Sequence, residues 1–207
     1  MAKKLNYRAT EIIFLFSVAL LVLTSCDRNI PRVNLNGKNI ICFGDSITEG
    51  VGANTGEDFP SLLAQKLNQP IINAGKGGDT TIDALRRLQG DVFEKNPGLV
   101  IVEFGANDYF QKIPPEETFK NLEDIVFQIQ QHGATVVLAE VKIGIFFDEY
   151  YSGFKKISKR RKVLLIPDIM RGVFNNPKLK SDNLHPNAEG YKIISERIYK
   201  YISPLLR

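Results

Sequence analysis

A three-layer α/β domain around a five-stranded parallel sheet is the fold this sequence predicts, and three observations predict it. Short apolar segments alternate with segments of helical spacing along the whole chain after residue 37. The apolar segments lack the in-and-out alternation of a half-solvated sheet, as expected of parallel strands covered on both faces. The first three of them end in glycine-rich turns, and that edge of an open α/β sheet is where ligands bind.

The elements follow in order. "KNIICF" (38–43) is the first strand, after which the chain turns at Gly44 and presents Ser46. On this stretch alone Ser46 reads equally as a helix cap or as an exposed reactive hydroxyl. Phe59–Leu67 has amphipathic spacing, and "PIINAG" (70–75) is a second short strand. Residues 81–95 predict a helix with Ile82, Leu85, Leu88 and Val92 on one face. "LVIVEF" (99–104) is the third strand. Pro115–Gln131 is a helix opened by proline, acidic in its first turn and followed by Gly133. "ATVVLAEV" (134–141) and "VLLIP" (163–167) are the fourth and fifth strands, and 187–206 is the closing helix. No repeat or low-complexity segment interrupts the pattern, so one domain is expected over 37–207.

The first 25 residues read as a leader. Lys3, Lys4 and Arg8 precede the apolar run 12–23, which is too short for the ~20 residues that span a bilayer and suits a signal-peptide core. "LTSC" then ends at Cys26 and is similar to the lipobox of bacterial lipoproteins, in which that cysteine carries lipid. Residues 26–36 would be a polar tether, and the protein would sit in the bacterial envelope, membrane-anchored and facing the periplasm or the exterior. The second cysteine, Cys42, lies in the first strand and is expected to be a packed core residue.

The 207 residues carry a formal charge of +4, half of it in the leader. The one basic cluster, Lys155, Lys156, Lys159, Arg160, Arg161 and Lys162, reads as the solvated end of a helix, so nucleic acid is not an expected partner.

Serine hydrolysis needs a nucleophile, an imidazole that accepts its proton and a carboxylate that orients the imidazole. The chain has two histidines. His132 stands at a helix end and reads as structural, which leaves His185 as the base and Asp182, three residues earlier, as its carboxylate. Donors for an oxyanion are at hand at the strand ends: the backbone N–H groups of Ser46 and Gly78 and the side-chain amide of Asn107. Asp45 reads as a structural residue that hydrogen-bonds the turn aiming Ser46.

Four blocks, "GDSITEG", "NAGKGGDTT", "GAND" and "DNLHPN", stand in an order that resembles the SGNH, or GDSL-type, hydrolases, and the likeness runs from about Lys38 to the final helix. It is closest to the small periplasmic thioesterase I, lysophospholipase and arylesterase type. The resemblance implies a flavodoxin-like sheet, a mechanism without metal or cofactor, Ser46, Asp182 and His185 as the catalytic set, and Ser46, Gly78 and Asn107 as the oxyanion hole. One departure is Lys76 in "GKGGDTT", where a small or apolar residue is frequent; it either draws anionic substrates or points to solvent.

The expected activity is therefore hydrolysis of carboxylic esters or thioesters with short-to-medium acyl chains, such as aryl esters or lysophospholipids. The alternative is O-deacetylation of carbohydrates by the same residues. Tyr109 and Phe110 beside Asn107, and Ile145, Phe146 and Phe147 in a loop after the fourth strand punctuated by Gly144 and Gly153, are the candidate lining of an apolar acyl groove; Phe154 is a further candidate, and about half of these aromatics are expected in the core instead. A monomer is expected. A phosphate-binding module is disfavoured because "GKGGDTT" lacks the order of a P-loop. A non-catalytic binding protein would leave the set of Ser46, Gly78, Asn107, Asp182 and His185 without a purpose.

Overall fold

Apolar strands that can be covered on both faces assemble into one parallel sheet, and in the computed structural model they do so in the order β2-β1-β3-β4-β5. The structure describes Val33, residues 35–142 and residues 148–206, with side chains from Ser152 onward in the last segment. The strands are β1 (Asn39–Gly44), β2 (Ile71–Gly75), β3 (Pro97–Glu103), β4 (Thr135–Ala139) and β5 (Leu164–Ile166). All four pairings are parallel. Strand order reverses between β1 and β3, which makes the carboxyl ends of those two strands the switch point where such sheets bind ligands.

The helices are α1 (Ser46–Glu49), α2 (Phe59–Leu67), α3 (Thr81–Asp91), α4 (Ala106–Phe110), α5 (Pro115–Gln131), α6 (Asp148–Arg161) and α7 (Ala188–Ile202). Successive residues of each strand point to opposite faces and build two cores. Ile40, Cys42, Leu99, Ile101 and Val137 meet α2 and α7 through Phe59, Leu63, Tyr191, Ile194 and Ile198. Ile41, Phe43, Val100, Val102 and Leu138 meet α3, α5 and α6 through Leu88, Leu122, Ile125, Phe154 and Ile157. This is the predicted three-layer α/β/α arrangement. Val33 and Leu35, at the end of the segment read as a tether, pack against the first of these cores, and Val33 N–H donates to the Leu205 carbonyl at 2.7 Å.

Three expectations shift. The helix read over 81–95 ends at Asp91, with a 3-10 turn at Phe93–Lys95, and its inward stripe is Ala84 and Leu88, with Ile82 and Leu85 half-buried. A capping box between Thr80 and Asp83 starts α3 at Thr81, where the spacing placed it. Gly153 does not punctuate a loop. It lies within α6, and a Cβ there would sit 2.4 Å from the Phe119 ring, so the glycine is what lets α6 approach α5. Phe154, a candidate neighbour of the substrate, is buried in the core, edge-on to Phe119 at 5.7 Å. His132 behaves as a structural residue, its ring stacked on Phe93 at 3.5 Å and its Nδ1 2.9 Å from the Gln128 carbonyl.

Candidate active site

Ser46 stands two residues after the end of β1 and opens α1. Its helix is capped not by Ser46 but by Asp45, whose Oδ1 accepts the Ile47 N–H at 3.0 Å. The Ser46 hydroxyl is therefore left for another use. At the far end of the domain, residues 180–186 close into a loop through a bridge between Lys180 and Pro186, with Ser181 N–H donating to the His185 carbonyl at 3.0 Å. Asn187 starts α7 by accepting the Gly190 N–H at 3.1 Å, while its own amide donates to the Lys178 carbonyl at 2.9 Å. These bonds fix the imidazole that the loop carries.

His185 Nε2 lies 3.0 Å from Ser46 Oγ, and His185 Nδ1 lies 2.7 Å from Asp182 Oδ2. Asp182 Oδ1 also accepts the backbone N–H groups of His185 and Leu184, each at 2.7 Å. The hydrogen bonds from the His185 backbone and ring, then that from Leu184, hold the Asp182 carboxyl well below the usual carboxylate range. An anionic carboxylate that stays anionic keeps the proton on Nδ1 and turns the Nε2 lone pair toward Ser46. The three residues, 139 and three positions apart in sequence, thus form one hydrogen-bonded relay.

The predicted oxyanion donors follow the carboxyl ends of β1, β2 and β3 and stand in different states. The backbone N–H groups of Ser46 and Gly78 donate to no other group among the described residues. Gly78 has φ +81°, a left-handed conformation that favours glycine, in an exposed turn held by the Gly77 N–H bond to Glu49 Oε2 at 2.6 Å. Asn107, in contrast, is already engaged: its amide donates to Asp45 Oδ2 at 3.2 Å and to the Asp79 carbonyl at 3.0 Å. Lys76 is exposed.

Sequence reasoning missed the frame beneath this site. Arg87, half-buried on α3, donates to the Gly44 carbonyl at 2.8 Å and the Ala74 carbonyl at 2.8 Å, and pairs with Asp79 at 2.5 Å and Asp91 at 2.9 Å. It joins the ends of β1 and β2 to the Gly78 turn, and its guanidinium covers the Phe43 ring at 4.4 Å. Asp108 accepts the Thr81 N–H at 3.0 Å and the Thr81 hydroxyl at 2.5 Å, which locks α4 to α3. Glu103 is buried under Ser46, and its position as the single charge in "LVIVEF" was the available signal. Tyr109 and Phe110, on α4 beyond Asn107, are 39% and 48% exposed, an unusual state for adjacent large aromatics at a sheet edge. Ile145, Phe146, Phe147 and Cys26 lie outside the described residues. Among the described residues, no cluster of three or more metal-ligating side chains occurs.

Comparison with known proteins identifies the family of the chain. Residues 42–193 match the model of the GDSL-like lipase/acylhydrolase family. An arylesterase from Vibrio mimicus is 29% identical over 187 residues, covering 85% of this chain and 92% of the relative. The thioesterase 1/protease 1/lysophospholipase L1 of Escherichia coli is 27% identical over 175 residues, covering 81% and 84%. The crystal structure of the psychrotrophic esterase EstA from Pseudoalteromonas, inhibited by monoethylphosphonate, superposes with a TM-score of 0.74 at 28% identity, over 81% of this chain and 97% of that one. A shorter stretch of 115 residues, 49% of this chain and 47% of the relative, is 30% identical to the uncharacterized lipoprotein YqeF of Bacillus subtilis. With its parallel sheet in SGNH-hydrolase order and its family match spanning most of the domain, the chain belongs to the GDSL-like lipase/acylhydrolase family and is a carboxylic ester hydrolase.

Proposed function

We propose that the protein cleaves carboxylic (thio)esters of short-to-medium acyl chains through an acyl-enzyme on Ser46. The observation that carries this reading is the continuous relay from Asp182 through His185 to the Ser46 hydroxyl, at 2.7 and 3.0 Å. His185 Nε2 takes the Ser46 proton as Oγ attacks the ester carbonyl carbon. The carbonyl oxygen becomes an oxyanion facing the N–H groups of Ser46 and Gly78 and the Asn107 amide. Collapse expels the alcohol or thiol, which receives its proton from His185 and leaves an acyl ester on Ser46. Water then repeats the sequence, freeing the acid and restoring the hydroxyl. Asp182 stabilises the imidazolium and is not itself protonated. No step calls for a metal or cofactor.

The acyl preference rests on Tyr109 and Phe110. Two aromatic rings at a 5.9 Å edge-to-face distance, exposed beside Asn107, offer dispersion and apolar burial to an alkyl chain and few hydrogen bonds to a sugar. Each buried methylene contributes about 0.8 kcal/mol, so rates with p-nitrophenyl esters are expected to rise beyond acetate before falling with the longest chains. The measurement is a chain-length series of p-nitrophenyl esters run beside acetylated xylan. A maximum at acetate with efficient xylan deacetylation would replace this reading with the carbohydrate O-acetyl esterase.

The envelope location is part of the same proposal. Lipid on Cys26 would tether the domain to the membrane through residues 26–36, with residues 1–25 removed as a signal peptide. The sequence "LTSC" supports it, as does the likeness to a lipoprotein of Bacillus subtilis. Cys26→Ser is expected to leave an unprocessed precursor without lipid. A mature mass unchanged by the substitution would refute the lipobox reading.

A further inference from the structure

Glu103 ends β3 directly below the nucleophile turn and is completely buried. Its Oε2 accepts the Thr48 hydroxyl at 2.8 Å and the Asp45 N–H at 3.4 Å, so it grips both sides of Ser46. Its Oε1 has no hydrogen-bond donor among the described residues. The group it meets is the carboxyl of Asp45, itself 1% exposed. Two carboxylates are both acceptors and cannot bond to one another unless one of them holds a proton.

No cation resolves the conflict. The guanidinium of Arg87 is spent on Gly44, Ala74, Asp79 and Asp91 and bonds neither carboxyl. The other ionisable groups that interact with the pair are Cys42, Asp108 and Tyr191, none of them cationic, and His185, which acts on Asp45 and is a cation only when protonated. Burial before all else lifts both carboxyls, Asp45 to about 6 and Glu103 well above its usual range.

We propose that Glu103 and Asp45 share one proton beneath the nucleophile, and that Glu103, as the neutral acid of the pair, is a positioning residue for ester hydrolysis. The inference rests on the reading of Ser46 as nucleophile. Glu103 acts through Asp45, which bonds two parts of the catalytic arrangement: Oδ1 takes the Ile47 N–H that shapes the nucleophile turn, and Oδ2 takes the Asn107 amide. Held on Glu103, the proton turns a buried, incompletely bonded carboxylate into a neutral acid that donates to Asp45, and it limits the pair to one negative charge. A second charge there would face the developing oxyanion from below and oppose its formation.

The test compares Glu103→Gln with Glu103→Ala. Glutamine keeps an acceptor for Thr48 and the Asp45 N–H and offers Asp45 a permanent N–H donor, so it reproduces the neutral acid. Its kcat is expected within about threefold of wild type, whereas Glu103→Ala is expected to lose more than tenfold in kcat with KM unchanged. Equal losses in the two variants would overturn the proposal, because they would mean that the ionised carboxylate is required.

The second readout needs no turnover. In infrared difference spectra at mildly alkaline pH, wild type minus Glu103→Gln should contain the carbonyl stretch of a protonated carboxyl. Glu140 and Asp168, also raised by burial at the ends of β4 and β5, cancel in that difference. Absence of the band refutes the shared proton. Recording the same difference in a Ser46→Ala background separates the two ideas, since failure of the nucleophile assignment would leave the band in place.

Discussion

Replacing Ser46 with alanine is expected to reduce ester hydrolysis by roughly 10⁵- to 10⁶-fold, the loss seen when a serine nucleophile is removed from a triad that works as a unit. The fold should survive. Asp45, not Ser46, caps α1, so the substitution removes no helix cap. What disappears is one hydrogen bond at 3.0 Å to an imidazole that is partly open to water, which contributes about 1 kcal/mol. A melting temperature within a few degrees of wild type would accompany the lost activity. A fluorophosphonate probe should add to wild type at Ser46 alone and fail to add to the variant. Labelling at another residue, or turnover by Ser46→Ala near the wild-type rate, would remove Ser46 from the mechanism and reopen the choice of nucleophile.

The alternation of apolar and helical segments made the sheet legible because parallel strands buried on both faces must be apolar throughout, as Val100, Ile101 and Val102 are. The candidate triad was legible for a chemical reason: the sequence has two histidines and His132 stands at a helix end, so His185 is the base candidate that remains. The supporting frame was not. Arg87 meets the Gly44 carbonyl 43 positions away, and Glu103 meets Asp45 58 positions away. Nothing in a local pattern announces such partners, because they exist only once β1, β2 and β3 lie side by side. The helices α1 and α4, of four and five residues, span barely one turn and leave no 3.6-residue periodicity to read. Phe154 failed as a groove candidate for a related reason. An aromatic residue in an amphipathic helix is apolar whether it faces a ligand or the core, and only the closeness of α6 to α5 at Gly153 decides between them.

Asn107→Ala is expected to lower kcat by about 10²- to 10³-fold, equivalent to ~2.7–4 kcal/mol of transition-state stabilisation, with KM little changed. The structure adds a condition to that expectation. Both amide hydrogens of Asn107 are engaged, at 3.2 Å with Asp45 Oδ2 and at 3.0 Å with the Asp79 carbonyl. Neither bond is short for N–H···O, and an oxyanion accepts more strongly than a neutral carbonyl. The developing charge can therefore draw the amide away from Asp79, while the bond to Asp45 keeps its plane fixed. A donor recruited only when charge appears stabilises the transition state and not the bound ester, which is why the loss should fall on kcat. The substitution also strips a buried acceptor on Asp45 of its partner, at a stability cost of about 1–3 kcal/mol. Activity must then be expressed per active site, counted by fluorophosphonate labelling, and stability followed separately by thermal melting. A loss confined to KM would make Asn107 a substrate-positioning residue. A fall in melting temperature with kcat per labelled site unchanged would reduce it to a strut between Asp45 and the Gly78 turn.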